Sequence, residues 1–138
     1  MSNYLSKDLL NRLQDVDNRH CAYSHTKEAN TGQPMTVDHI ISKSQGGKTV
    51  FENLCFACRC CNEFKRGQMT ANDPLTGESV RLFHPRQHIW NEHFMWSESS
   101  VVLVGITAIG RATIVALRIN NPVIVAARRR WVSVGWHP

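Results

Sequence analysis

Between Cys21 and Gly67 the chain concentrates the residue types that bind metals and move protons. Cys58 and Cys61 form a Cys-x-x-Cys pair, whose thiolates can converge on a tetrahedral zinc from a knuckle that leads into a helix. Upstream, Cys21-Ala22-Tyr23-Ser24-His25 holds the place of a second pair, but Ser24, a poor zinc ligand, stands where the partner thiol belongs. His25 is then the candidate fourth ligand of a Cys3His set, with Cys60 a more awkward substitute. The competing reading takes these cysteines as small apolar core residues.

A second group is built from oxygen and nitrogen donors. Asp38 offers a hard oxygen suited to Mg2+, and His39 beside it offers a base near neutral pH. Strand alternation sends neighbours to opposite faces, so the two share one site only where the strand ends or bulges. Asn62 falls on the first turn of a helix after Cys61. Lys65 and Arg66, three and four places on, share its helical face and are candidates for phosphate contact. Taken singly, each of Asp38, His39, Asn53 and Asn62 is more simply structural; together they describe a site.

The elements that must position these residues can be read from spacing. Leu5, Leu9, Leu10, Leu13 and Val16 recur at helical intervals behind Ser6, which predicts a helix over 7–18. A strand is expected over 35–41, a loop on Gly46 and Gly47, a strand over 53–57, and a short helix over 58–66 ended by Gly67. Further on, strands are expected over 80–83 and 101–107. Helices are expected from Pro85 through Phe94, over 111–119, and after Asn120-Asn121-Pro122 through Trp131.

The 138 residues suit one compact unit with a real core. Five cysteines, four of them between Cys55 and Cys61, do not resemble a spread disulfide framework. Asn3, Lys7 and Asp8 interrupt the opening stretch where an export signal needs apolar residues, and no apolar run is long enough to span a membrane. A cytoplasmic protein with reduced thiols is the expectation. Sixteen Lys and Arg against eleven Asp and Glu give a net charge of +5, which favours polyanionic partners. Residues 99–138 carry five arginines and no acid. Arg128, Arg129 and Arg130 are either a solvated helical face or a patch that tracks a nucleic-acid backbone; consecutive helical residues point apart, so not all three can contact one strand.

The whole pattern resembles the HNH endonuclease family, in which a ββα-metal motif holds Cys-x-x-Cys, Asp-His-Ile, a Gly-Gly loop, Asn-Leu and Cys-x-x-Cys-Asn-x-x-Lys. The matching stretches are Cys21 to Ser24, Asp38-His39-Ile40, Gly46-Gly47, Asn53-Leu54 and Cys58 to Lys65, within residues 19–68. The departure is Ser24. The resemblance implies an α+β fold: a ββα-metal (HNH, or His-Me finger) core with an N-terminal helix over 1–68, and a C-terminal α/β elaboration over 69–138 packed on it as a single compact unit. It implies a metal-dependent endonuclease or nickase acting on DNA. His39 would be the general base, Asn53 would orient it by a hydrogen bond, and Asp38 and Asn62 would hold one Mg2+ or other divalent ion. Cys21, Cys58, Cys61 and His25 would hold a structural Zn2+. Lys65, Arg66, Arg128, Arg129 and Arg130 are the expected nucleic-acid contacts. The alternatives are a catalytically inactive zinc-knuckle module that binds nucleic acid, and a structural partner protein with a decayed nuclease fold.

Overall fold

A computed structural model describes residues 5–138; the first four residues of the expected N-terminal segment, Asn3 included, lie outside the described ones. The fold is α+β, with short helices and, among the described residues, three two-stranded antiparallel sheets. The chain divides into two compact units, one holding the residues through Gly67 together with His84–Arg86, the other Gln68–Phe83 and Gln87–Pro138. Among the described residues no helix is long and apolar enough to cross a membrane.

The first unit opens with helix α1, Lys7–Val16, capped by the Ser6 hydroxyl, which accepts the Leu9 amide at 3.1 Å. It stops two residues short of the expected end because Asn18 and Arg19 take left-handed conformations, φ 50° and 51°. A short helix α2, Glu28–Thr31, precedes strand β1, Thr36–His39, which pairs with β2, Leu54–Ala57, in the register Asp38 opposite Cys55 and His39 opposite Leu54. Helix α3, Arg59–Lys65, then crosses the hairpin. Leu13 of α1 packs on Leu54 and Phe56 of β2 to form the core. All four β2 residues are buried, so this strand is covered on both faces, where alternation alone predicts one.

An ion pair pins α1 to β2. Asp17 receives both Arg86 terminal nitrogens at 2.8 Å and also accepts the Phe56 amide at 2.8 Å, while Arg86 Nε donates to the Leu54 carbonyl at 2.9 Å. Between β1 and β2 the loop closes against Ile41: a Cβ on Gly47 would lie 1.7 Å from the Ile41 carbonyl oxygen, so no larger residue fits there without moving the backbone.

The second unit contains the hairpin β3–β4, Thr70–Asn72 with Ser79–Arg81, and the hairpin β5–β6, Phe94–Trp96 with Leu103–Gly105. Helices α4, Ala108–Ala116, and α5, Pro122–Ser133, complete it. Asp73 in the β3–β4 turn is fully buried and takes Arg111 of α4 in a two-pronged contact at 2.9 Å. The helix expected from Pro85 through Phe94 is absent. A 3₁₀ turn, Trp90–Glu92, leads instead into β5, where Phe94 is buried, Met95 exposed and Trp96 half-buried, a period of two set by pairing with β6.

Arg128 corrects a second expectation. It is 0% exposed, so it is no nucleic-acid contact: its guanidinium donates to the Ile119 carbonyl at 2.7 Å, the Asn120 Oδ1 at 2.9 Å and the Val101 carbonyl at 3.1 Å, and lies over the Trp96 ring. Trp131, one helical turn on, is buried beside it, whereas Arg129 and Arg130 are exposed. Arg128→Met should therefore lower the unfolding free energy by about 2 kcal/mol or more, the contribution of at least one hydrogen bond to a charged group. Arg129→Gln should stay within about 0.5 kcal/mol of wild type. Denaturant titration of the two variants measures both, and equal stabilities would contradict the internal role of Arg128.

Candidate functional site

The face of β1 turned toward α3 carries Thr36 and Asp38. Asn62 Nδ2 donates to Thr36 Oγ1 at 2.9 Å, and Lys65 Nζ lies 3.1 Å from Asp38 Oδ2. Tyr23 donates its hydroxyl to the same Oδ2 at 2.6 Å. Lys65 also donates to the carbonyls of Ile40 at 2.9 Å and His39 at 3.2 Å. At 2% exposure Lys65 cannot reach a phosphate, which corrects its assignment as a nucleic-acid contact; Arg66 beside it is exposed. Burial and the Asp38 charge together push the Tyr23 hydroxyl well above its ordinary range, so it serves as a donor. An open cleft of about 430 Å³ adjoins this face, lined by Thr36, Arg59, Asn62 and Glu63. Arg59 and Glu63 pair across one helical turn at 2.9 Å at its rim.

His39 occupies the other face of β1, as strand alternation requires. Its Nε2 is 2.9 Å from Thr49 Oγ1. Partial burial, and then the neighbouring Lys43 charge, shift the His39 ring below the ordinary histidine value. The expected Asn53–His39 hydrogen bond is not formed. Asn53 Oδ1 instead accepts the Ile41 amide at 2.8 Å, and Nδ2 donates to the carbonyls of Ile41 and Lys48, each at 2.9 Å. Asn53 thus fixes the loop that begins right after His39, and Thr49 on that loop meets the ring. Sequence reading missed Thr36, Tyr23 and Thr49. Tyr23 could have been flagged as an aromatic residue inside the first cysteine segment, but nothing local marks the two threonines.

The sulfur atoms of Cys21, Cys58 and Cys61 lie within 4.8 Å of one another. Ser24 stands at their edge, with its amide donating to Cys21 Sγ at 3.4 Å and its Oγ 3.9 Å from Cys58 Sγ. His25 is outside this group. Its backbone is left-handed at φ 60°, its amide donates to the Cys21 carbonyl, and its ring stands edge-on to His20, so Ser24 rather than His25 occupies the fourth corner. Cys60 is also outside the group. Burial by itself raises the Cys21 thiol, but hydrogen bonds from Cys58, Cys61 and Ser24 outweigh it and hold this thiol well below its ordinary range. Its partner Cys58 is pushed up to about 12, first by its bond to Cys21. Three sulfurs in this arrangement fit a thiophilic ion such as zinc, whose bond lengths would draw them to about 3.8 Å apart.

A two-stranded antiparallel hairpin packed against a helix, together with a three-cysteine cluster, an acid, a histidine and two asparagines, makes a ββα unit. Residues 19–67 match the family model described as HNH endonuclease. No curated protein and no solved structure matches the chain.

The cluster gives a measurable expectation. Purified protein should carry about one zinc per chain, and chelation should lower its melting temperature. Ser24→Cys should slow loss of zinc to a competing chelator by supplying a fourth thiolate. Metal analysis with thermal melts checks this; metal-free protein that melts at the same temperature would make the three thiols packing groups.

Proposed function

We propose that the domain is a metal-dependent endonuclease or nickase that hydrolyses DNA phosphodiester bonds. The observation that carries this reading is the joint placement of Asp38 and Asn62 on the β1–α3 face, with His39 at the end of the same strand, inside a stretch matching the HNH endonuclease family. Asp38 and Asn62 supply oxygen donors for one divalent ion, Mg2+ by the hardness of that donor set. When bound, such an ion stabilises charge on the scissile phosphate and on the leaving oxygen. His39 takes a proton from the attacking water; a new P–O bond forms as the bond to the 3′ oxygen breaks, and that oxygen takes a proton from solvent, leaving 5′-phosphate and 3′-hydroxyl ends. Its lowered proton affinity supports a neutral, accepting ring at neutral pH. Thr49 holds the ring, and Asn53 holds the loop that carries Thr49. The five free thiols suit a reducing cytoplasm.

One observation favours a second reading. Asp38 already has an internal cation in Lys65, which would satisfy the carboxylate in an idle module that only binds nucleic acid. Incubation of supercoiled plasmid with Mg2+, with and without EDTA, separates the two. His39→Ala should lower turnover by about 10²–10⁴-fold while DNA binding persists. Activity within a few-fold of wild type would remove His39 from the role of base.

Arg66, Arg129 and Arg130 are the exposed members of the expected nucleic-acid contacts. We place Arg129 and Arg130 on the DNA backbone. Neutralising both should flatten the dependence of log affinity on log salt by about 0.9 per lost phosphate contact. An unchanged slope for Arg129→Gln/Arg130→Gln would leave them as a solvated helical face.

A further inference from the structure

Asp38 is gripped by one residue from each arm of the thiol cluster. Tyr23 lies between Cys21 and Ser24 in sequence and puts its hydroxyl 2.6 Å from Oδ2. Lys65 lies one turn beyond Cys61 on α3 and puts its ammonium 3.1 Å from the same oxygen. Tyr23 is 0% and Lys65 2% exposed, so water does not compete for either contact. Among the described residues every hydrogen bond or ion pair to the Asp38 side chain ends on Oδ2. A carboxylate rotates easily about its terminal torsion, and a donated hydroxyl with a paired ammonium on one oxygen resists that rotation. They leave Oδ1 as the free donor atom. Because Lys65 shares α3 with Asn62, the same grip sets Asp38 against Asn62. Because Lys65 also holds the His39 and Ile40 carbonyls, it fixes the end of β1.

We propose that Tyr23 and Lys65 are positioning residues that turn Asp38 Oδ1 toward a divalent ion, and that zinc in the Cys21–Cys58–Cys61 cluster strengthens this hold by fixing both arms. The proposal rests on the reading of Asp38 as an ion ligand. Coupling between two sites is reciprocal, so an ion at Asp38 tightens zinc by the factor with which zinc tightens the ion.

The test is a titration of the full chain with Mn2+, followed by electron paramagnetic resonance of the free ion, with zinc bound and after zinc removal. Asp38→Asn identifies the site by abolishing binding. Tyr23→Phe keeps the ring and removes one donor, and with zinc bound should weaken Mn2+ by about tenfold, the order expected for one hydrogen bond to a charged group. Zinc removal from folded wild type should weaken Mn2+ about fivefold or more, and should matter less in Tyr23→Phe. If one of these forms does not fold, the other still reads the grip. Wild-type Mn2+ affinity in zinc-loaded Tyr23→Phe overturns the positioning role. Equal affinities with and without zinc in folded protein overturn the coupling. Tyr23-dependent Mn2+ binding by a chain that cuts no plasmid overturns the endonuclease reading and leaves the grip standing. Absence of Mn2+ binding sensitive to Asp38→Asn overturns both.

Discussion

The ammonium of Lys65 is removed from water at the junction of β1 and α3, and the architecture around it follows from satisfying that charge. Desolvating a cation costs several kcal/mol, and an interior tolerates it only where partners are complete. The ammonium donates to the carbonyls of His39 and Ile40 and pairs with Asp38 Oδ2 at 3.1 Å. Both carbonyls are backbone at the point where β1 ends. The helix is thereby bound to the strand through a polar contact of fixed geometry, where apolar packing would allow sliding. Asn62 to Thr36, one turn earlier on the helix, repeats the connection.

The same contacts fix two neighbours that point to opposite faces of one strand. Asp38 is turned inward and held by Tyr23 and Lys65; His39 is turned outward and held by Thr49. What joins them is the backbone, and the backbone is fixed on both sides. Lys65 takes the carbonyls of His39 and Ile40, and Asn53 takes the amide and carbonyl of Ile41. The loop can approach this closely only because Gly47 carries no side chain. The buried asparagine and the buried lysine therefore act on the same short stretch from different directions.

Charged residues elsewhere are also held by internal partners, though the Nε of Arg128 is buried without a hydrogen bond. Asp17 joins α1 to β2 through Arg86, Asp73 joins its turn to α4 through Arg111, and Arg128 gathers the Val101 and Ile119 carbonyls with Asn120. None of these is a solvated surface charge. Each uses the planar fork of an arginine, which presents several donors at fixed angles and so ties segments that are distant in sequence. The basic count of the chain thus overstates the charge available to a partner.

The sequence alone determined the ββα order, its α+β class and the stretch that carries the HNH pattern, because these depend on local signals. Such signals are the period-two strands, the Gly-Gly loop, the Cys-x-x-Cys spacing and the cap at Ser6. It also placed Asp38 and His39 on opposite faces, since alternation is a property of any strand. Only the tertiary structure decided that Lys65 and Arg128 point inward, that Ser24 and not His25 borders the three thiols, and that Asn53 holds a loop where a bond to His39 was expected. A side chain's partner is set by residues far away in the chain, and helical spacing gives the direction of Lys65 but not what lies there. The same reason explains the lost helix after Pro85: Phe94 and Trp96 could have served either period, and pairing with Leu103 and Gly105 chose the strand.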